Sequence, residues 1–244
     1  MRLEEARLPP GLRIYAIGDI HGRADLLDRL HGLIEADLAA APPPGRCLVL
    51  YLGDYVDRGP DSAGVLDRLC RPRQRGGLAG IETLALLGNH EAMLLEFLDA
   101  PYGASLWLAN GGDATLNSYR VRVPASFDEL LLTQRALLRA LPRQHHEFLS
   151  GLPLQARFGD YLFVHAGIRP GLPLDRQSRE HMIWIRDLFL DSEADHGAIV
   201  VHGHTIVHAV EWRPNRIGID TGAYTTGHLT ALVLEDGERR LLQT

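Results

Sequence analysis

Five short stretches carry side chains able to do chemistry together: Gly18-Asp19-Ile20-His21-Gly22, Gly53-Asp54-Tyr55-Val56-Asp57-Arg58-Gly59, Gly88-Asn89-His90-Glu91, His165-Ala166-Gly167 and Gly203-His204-Thr205. Each alone has an ordinary structural explanation, because Asp, Asn and Gly are turn residues and a lone His after a strand is commonly satisfied by its neighbours. Together, Asp19, His21, Asp54, Asn89, His165 and His204 offer oxygen and nitrogen donors without a thiolate. That set suits manganese, iron or zinc better than an oxygen-seeking magnesium site. It is also larger than one catalytic ion with open positions would use, so two divalent ions sharing a ligand is the economical arrangement. His90 is the titratable side chain beside these donors that can be protonated near neutrality, which makes it the natural acid for a leaving group.

The elements that must position these residues can be read from hydrophobic period. Residues 12–17, 47–52 and 83–87 read as strands, and each runs directly into one of the first three stretches. Glycine at those strand ends lets the backbone approach whatever the charges hold. Between the first two strands a helix is predicted over 23–40, with Leu26, Leu27, Leu30, Leu33, Ile34 and Leu38 as its apolar face and Pro42-Pro43-Pro44-Gly45 as its stop. Strand, helix, strand implies a parallel pair with a crossover, whose functional loops sit at the carboxyl ends of the strands. A second helix is predicted over 61–70, Arg71-Pro72-Arg73-Gln74-Arg75-Gly76-Gly77 reads as a solvated basic turn, and 92–98 continues as helix. The region 101–153 reads as a mostly helical insertion with a break at Gly111-Gly112, placed to cap the site. Beyond it, strands are predicted at 154–158, 161–164, 199–201, 207–212, 216–219, 229–234 and 239–242, with Gly159-Asp160 and Asp236-Gly237 as turns. Those spacings indicate hairpins and a second, mixed or antiparallel sheet. The expectation is an α/β (α+β) fold: one domain over 1–244 with two packed β-sheets flanked by helices.

Composition narrows the partners. With 244 residues, 45% of them hydrophobic, a net charge of −6 and a pI near 6.0, the chain is globular and has no basic excess to reward a phosphate backbone. A small phosphate-bearing ligand remains compatible if metal ions supply the positive charge locally. The two cysteines, Cys47 and Cys70, provide neither a disulfide framework nor a thiolate zinc site and read as small apolar groups. No apolar run is long enough for a membrane helix and the first residues have no secretory pattern, so a cytoplasmic protein without membrane or nucleic-acid partners is expected. His145 and His146 are adjacent and so on different faces of any helix, which argues against both as ligands. His202 shares a strand face with His204 and is expected behind it.

The five stretches, in this order and spread from Asp19 to His204, resemble the phosphoprotein phosphatase branch of the calcineurin-like metallophosphoesterases, its bacterial members most of all. The resemblance implies a four-layer sandwich with a central pair of β-sheets. It implies that Asp19, His21 and Asp54 hold one metal and that Asp54, Asn89, His165 and His204 hold the other, with Asp54 the bridge. Two such ions, most readily Mn²⁺, with Fe or Zn as substitutes, would sit ~3.5–4 Å apart, activate a shared water and clamp phosphate oxygens for in-line attack. Arg58, Arg186 in Trp184-Ile185-Arg186-Asp187, and Asn89 would bind the phosphate, and Asp57 would hydrogen-bond His90 and favour its protonated form. The implied substrates are phosphoserine and phosphothreonine in proteins or peptides, with phosphotyrosine and small phosphoesters as extensions. In many other metallophosphoesterases a further His follows as Gly-His-x-His; here that place is Ile206. Many family members also carry an arginine directly before Gly-Asn-His-Glu, where this chain has Leu87. The sister diadenosine tetraphosphatases commonly have an apolar residue there, but usually lack Asp57 and have Asp in place of Glu91. They stand as the alternative, and a metal-binding module without turnover stands behind both.

Overall fold

The computed structural model describes residues 1–43, 45–70 and 78–244. The basic stretch 71–77, expected as a solvated turn, lies outside the described residues. β1 (Leu12–Ile17) is buried along its whole length, sending Ile14 and Ala16 to one face and Tyr15 and Ile17 to the other. A strand covered on both faces is what a parallel sheet demands. β1 pairs in parallel with β2 (Arg46–Tyr51), which pairs in parallel with β3 (Glu82–Ala85). The crossovers are α1 (Ala24–Ala40) and α2 (Ser62–Cys70). α1 buries Leu26, Leu27, Leu30, Ile34 and Leu38 as its period predicts, but Leu33, expected on that face, is exposed. His31 takes a buried place instead, four residues after Leu27 and three before Ile34, with Nε2 2.8 Å from the Tyr51 hydroxyl.

α3 (Asn89–Asp99) follows β3 directly. The helical region then runs through α4 (Ser105–Trp107), a kinked turn over Leu108–Gly112, α5 (Asp113–Ser118), α6 (Leu130–Ala140) and α7 (Arg143–Ser150). These helices share an apolar layer with α1 and α2 against the outer face of the first sheet.

The second sheet holds β4 (Gln155–Phe158), β5 (Tyr161–Val164), β6 (Ile199–His202), β7 (Glu211–Trp212) and β8 (Arg216–Gly218), in the order β4-β5-β6-β8-β7. Its three inner strands are mutually parallel and its two edges antiparallel. Met182 and Ile183 of α8 (Arg179–Trp184) and Phe189 of α9 (Asp187–Leu190) cover its outer face. Between the sheets lie Ile14, Ala16, Leu48 and Leu50 from one side and Phe163, Val201 and Ile217 from the other. The four layers are those of the expected sandwich.

Two expectations fail here. After the short α10 (Ala223–Thr226), β9 (Thr230–Glu235) and β10 (Glu238–Gln243) do form a hairpin, but they join the first sheet, in the order β10-β9-β1-β2-β3. A turn at Asp236-Gly237 fixes β9 against β10; the free edge of β1 decides where the pair docks. That docking sets Ile14 opposite Leu234 and Ala16 opposite Leu232, so both leucines enter the layer between the sheets. The strand predicted over 207–212 shrinks to β7, because residues 207–210 form a loop held from the Val207 amide to the Asp220 carbonyl at 2.9 Å. Among the described residues no helix is long and apolar enough to cross a membrane.

The margin of the first sheet is tied to α1 by charge. The Asp37 carboxylate accepts from the Tyr15 hydroxyl and from Arg240 Nη2 at 2.6 Å, with Arg13 Nη1 at 3.7 Å, while Arg13 Nε donates to Glu235 at 2.8 Å. Burial alone would raise the Asp37 carboxyl, but Arg240, Tyr15 and Arg13 outweigh it and hold it below its ordinary range. Asp37→Asn is therefore expected to lose about 1–2 kcal/mol at neutral pH, solvent screening at Arg240 keeping the figure low. The depressed value means that this stability is present above the unfolded carboxyl pKa and is lost as pH falls through the folded one. Urea titrations of both proteins at neutral and at strongly acidic pH should show the gap closing in acid.

Candidate functional site

Six parallel strands, β1, β2 and β3 of one sheet and β5, β6 and β8 of the other, stop at the same end of the sandwich, and the predicted residues follow them. The backbone there is unusual. His21, Asp54, Asp57, Arg58 and His204 all have φ between 44° and 71°, a left-handed region that costs non-glycine residues on the order of 1–3 kcal/mol each. One buried side chain organises two of the loops: Glu91 accepts from the amides of Gly88 at 3.1 Å, Asp54 at 2.8 Å, Tyr55 at 2.7 Å and Val56 at 3.2 Å. The Asp54 carbonyl in turn accepts from the amides of Ile20 at 3.1 Å and His21 at 2.8 Å. Because α3 starts at Asn89 rather than after the motif, Asn89 and His90 occupy its first turn and Glu91 its third position. Glu91 thus accepts the amide of Gly88, the residue before the helix, the carboxylate half of a capping box, with no side chain at Gly88 to supply the other half. Glycine is required at two of these crossings. A Cβ on Gly53 (φ 112°) would stand 2.8 Å from the Gly88 Cα and from His165 Nδ1, and one on Gly88 would stand 2.2 Å from Asp54 Oδ1.

Side chains from five of these loops lie close together at this end of the sandwich. His21 Nδ1 donates to the Val56 carbonyl at 2.9 Å and His165 Nδ1 to the Leu52 carbonyl at 3.0 Å, which leaves both Nε2 lone pairs facing inward. His21 Nε2 is 3.5 Å from Asp54 Oδ2; His165 Nε2 is 3.3 Å from Asp54 Oδ1 and 2.9 Å from Asn89 Oδ1. Asp19 accepts the His204 amide at 3.0 Å. Two groups have donor atoms within 4.8 Å of one another, His21 with Asp54 and His90, and Asp54 with His165 and His204, and Asp54 belongs to both. Among the described residues, His204 Nε2 and His90 Nε2 are buried without a hydrogen-bond partner. The buried, unpartnered His204 nitrogen, aimed at a carboxylate-rich centre, fits a divalent cation. Protonation states agree: burial drives His21 down to about 3 and His204 to about 2, so both are the neutral imidazoles that a metal needs. Burial, then Asp220 and Asp54, push Asp19 well above its ordinary value, the mark of carboxylates crowded without a counter-cation.

Beside this cluster, His90 Nδ1 lies 2.7 Å from Asp57 Oδ2. Burial lowers the imidazole, but the charges of Asp54 and Asp57 more than reverse it, so His90 holds its proton above the ordinary histidine range. Arg58 Nη1 is 3.2 Å from His21 Nε2 and its guanidinium packs over the Tyr224 ring at 5.0 Å. Arg186 is exposed and reaches the Thr205 hydroxyl at 3.2 Å, next to His204. His202 sits behind the cluster against Phe189, with Nε2 3.4 Å from Arg216 Nη1. His145 is bonded to the Tyr119 hydroxyl at 2.7 Å and to Asp67 at 3.2 Å. Leu87 is packed with Ala92 and Leu162 in the apolar layer of the second sheet.

Sequence reasoning did not find Trp107 and Thr115, which both hydrogen-bond Asp57, nor the place of Asp220 beside Asp19. Asp220 follows β8 as Asp19 follows β1, so its signal was a strand end carrying a carboxylate. Trp107 and Thr115 gave no signal, since an aromatic and a threonine in a helical stretch are ordinary core residues.

Comparison with known proteins agrees with this geometry. The calcineurin-like phosphoesterase family profile matches residues 12–229, and the chain belongs to that family. It is 29% identical over 221 residues to serine/threonine-protein phosphatase 2 of Escherichia coli (strain K12), covering 89% of this chain and 90% of that one. It is 27% identical over 235 residues to an asymmetrical bis(5'-nucleosyl)-tetraphosphatase of Anoxybacillus flavithermus, covering 88% of both. Among solved structures, one provisionally assigned as a diadenosine tetraphosphatase superposes with a TM-score of 0.63 at 22% identity, over 98% of each chain, which establishes the fold. The relatives thus divide between phosphoprotein and dinucleotide names. Family membership carries metal-dependent phosphoester hydrolysis with it, and the His and Asp clusters are where metals could bind.

Glu91 is the residue whose loss should be felt first in the scaffold. In Glu91→Gln one of the two accepting oxygens becomes an amide that faces backbone N–H groups. The expected cost is about 2–4 kcal/mol in unfolding free energy, read from urea denaturation of the purified variant.

Proposed function

We propose that this chain is a dinuclear-metal phosphatase acting in the cytoplasm on phosphoserine and phosphothreonine monoesters, with phosphotyrosine as a further substrate. Asp19, His21 and Asp54 would hold one ion, and Asp54, Asn89, His165 and His204 the other. Two Mn²⁺ ions there would supply an activated water and the positive charge that a phosphate dianion needs. The chain's own groups do the rest. Arg58, Arg186 and Asn89 grip phosphate oxygens and set the ester in line with the water. As the water oxygen bonds to phosphorus and the bond to the alcohol oxygen breaks, His90 Nε2 passes its proton to that departing oxygen. Asp57 holds the imidazole by Nδ1.

The observation that carries this reading is the buried His90–Asp57 pair, 2.7 Å apart, with Nε2 unpartnered and 3.8 Å from Asp54 Oδ2. A serine or threonine alkoxide is a strongly basic leaving group and needs an acid, whereas a nucleotide leaves as a weakly basic phosphate and needs one far less. A second reading, hydrolysis of dinucleoside polyphosphates, draws support from Leu87 and from the tetraphosphatase relatives. The burial of Leu87 in an apolar layer turns that position away from substrate and weakens the first of these supports.

Turnover with Mn²⁺ is to be compared on a phosphoserine peptide, a phosphotyrosine peptide and diadenosine tetraphosphate, with His90→Asn as control. Release of phosphate from the peptides, lost by a factor of about 10²–10⁴ in the control, is expected. Rapid dinucleotide cleavage with little peptide activity would replace this reading by the second. Asp57→Asn removes one of the two carboxylates that raise His90, so the imidazole should lose its proton at lower pH. Its kcat profile on the phosphoserine peptide should lose the alkaline limb earlier than the parent enzyme does.

A further inference from the structure

The helical region between α3 and β4 meets the site at Asp57 and Arg58. Asp57 Oδ1 accepts from the Thr115 hydroxyl at 2.6 Å and from Trp107 Nε1 at 3.1 Å; Oδ2 accepts from Trp107 Nε1 at 3.0 Å and faces His90 Nδ1 at 2.7 Å. The Asp57 amide donates to Thr115 Oγ1 at 2.9 Å and to Ser62 Oγ at 3.0 Å. One residue further on, the Arg58 amide donates to the Gly111 carbonyl at 3.1 Å. Asp57 and Arg58 are consecutive left-handed residues, with φ of 71° and 65°, a conformation that persists only where surrounding contacts over-determine it.

Apart from those of Ser62 and His90, these contacts come from a single device. Trp107 ends α4, Thr115 lies in α5, and a kinked turn over Leu108–Gly112, with Gly111 in a left-handed conformation, joins the two helices. Gly111, at φ 96°, lies so close over Arg58 that a Cβ would stand 2.8 Å from the Arg58 amide nitrogen, and a Cβ on Gly112 would stand 2.5 Å from the Trp107 ring. The Trp107 side chain is itself 1% exposed and the Thr115 residue 0%.

We propose that this turn, with Trp107 and Thr115 at its ends, is the positioning element for the acid: it fixes the Asp57 carboxylate and thereby the direction of His90 Nε2. Trp107 and Thr115 touch no reacting atom; they are positioning residues that act through Asp57. The inference rests on His90 being the leaving-group acid. It goes further in assigning control of that acid to the helical region rather than to the sandwich that carries the metal-ligand loops.

The test uses leaving groups of graded basicity. An ester with a good leaving group, p-nitrophenyl phosphate, needs little help from an acid, while a phosphoserine peptide needs it fully. Trp107→Phe keeps the ring and removes the donor; Thr115→Val keeps the shape and removes the hydroxyl. In each, kcat on the phosphoserine peptide should fall about tenfold, while KM, and kcat on p-nitrophenyl phosphate, stay within about twofold of the parent. Bound Mn²⁺, measured by elemental analysis after gel filtration, should be unchanged. Equal falls on both substrates, or none on either, would overturn the proposal. His90→Asn runs alongside: if it shows no dependence on the leaving group, the acid assignment itself has failed, whereas dependence in His90→Asn without it in the two variants rejects the positioning role alone. Where Trp107→Phe does not fold, Thr115→Val, an exchange of nearly equal volume, decides.

Discussion

Burial of uncompensated charge is the constraint on which this structure turns. Asp19, Asp54, Glu91 and Asp220 all lie buried at the end of the sandwich where the parallel strands stop, among His21, His90, His165 and His204. Carboxylates removed from water are tolerated only when they are paired, hydrogen-bonded or bound to cations. Each of these is answered differently. Glu91 takes backbone amides, though burial and Asp54 still push its carboxyl up to about 7. Asp54 would be raised by burial, but the charges of His165 and His90 hold it well below its ordinary value. Asp19 and Asp220 are both raised, by burial and then by neighbouring charge or against a single backbone donor, and they remain the unbalanced pair. A centre built this way calls for positive charge, and the neutral imidazoles of His21 and His204 are ready to bind a cation.

The sandwich exists to bring those loops to one end. Each sheet contains three mutually parallel strands, β1-β2-β3 in one and β5-β6-β8 in the other, and so offers three carboxyl ends; packing the sheets face to face doubles the number of loops that can reach one point. The period of alternation along β1 does both jobs at once, since Ile14 and Ala16 seal the sheets together while Tyr15 and Ile17 seat the helices.

Much of this was legible before any coordinates. Strong periodicity located β1, α1, β2, β5 and β6, and the glycine-flanked acids and histidines marked the loop ends because no purely structural need calls for so many at strand termini. Long-range choices were not legible. Nothing within residues 230–243 says that the last hairpin would pair with β1 rather than with β8, for local turn chemistry fixes a hairpin but not the sheet it joins. The shrinkage of the strand predicted at 207–212 has the same origin, a tertiary bond to Asp220 replacing a ladder. In the site, the candidate metal donors stood out by residue type, while the residues that hold Asp57 did not, because a tryptophan and a threonine from a helical region announce their role only through contact.

The return of β9 to β1 also sets an order on the assembly of the molecule. β1 is the third of five strands in its sheet, yet its partner on one side comes from residues 230–235, more than two hundred positions later. During synthesis on a ribosome, therefore, one edge of β1 stays open while the more than two hundred residues between it and β9 are made, and the strands that deliver His165, His204 and Asp220 emerge before that edge is closed. An open, apolar strand edge is a template for mispairing with another nascent chain. The α1–Asp37–Arg240 tie that locks β10 across this margin can form only after residue 240 has emerged, later than every strand that delivers a site residue.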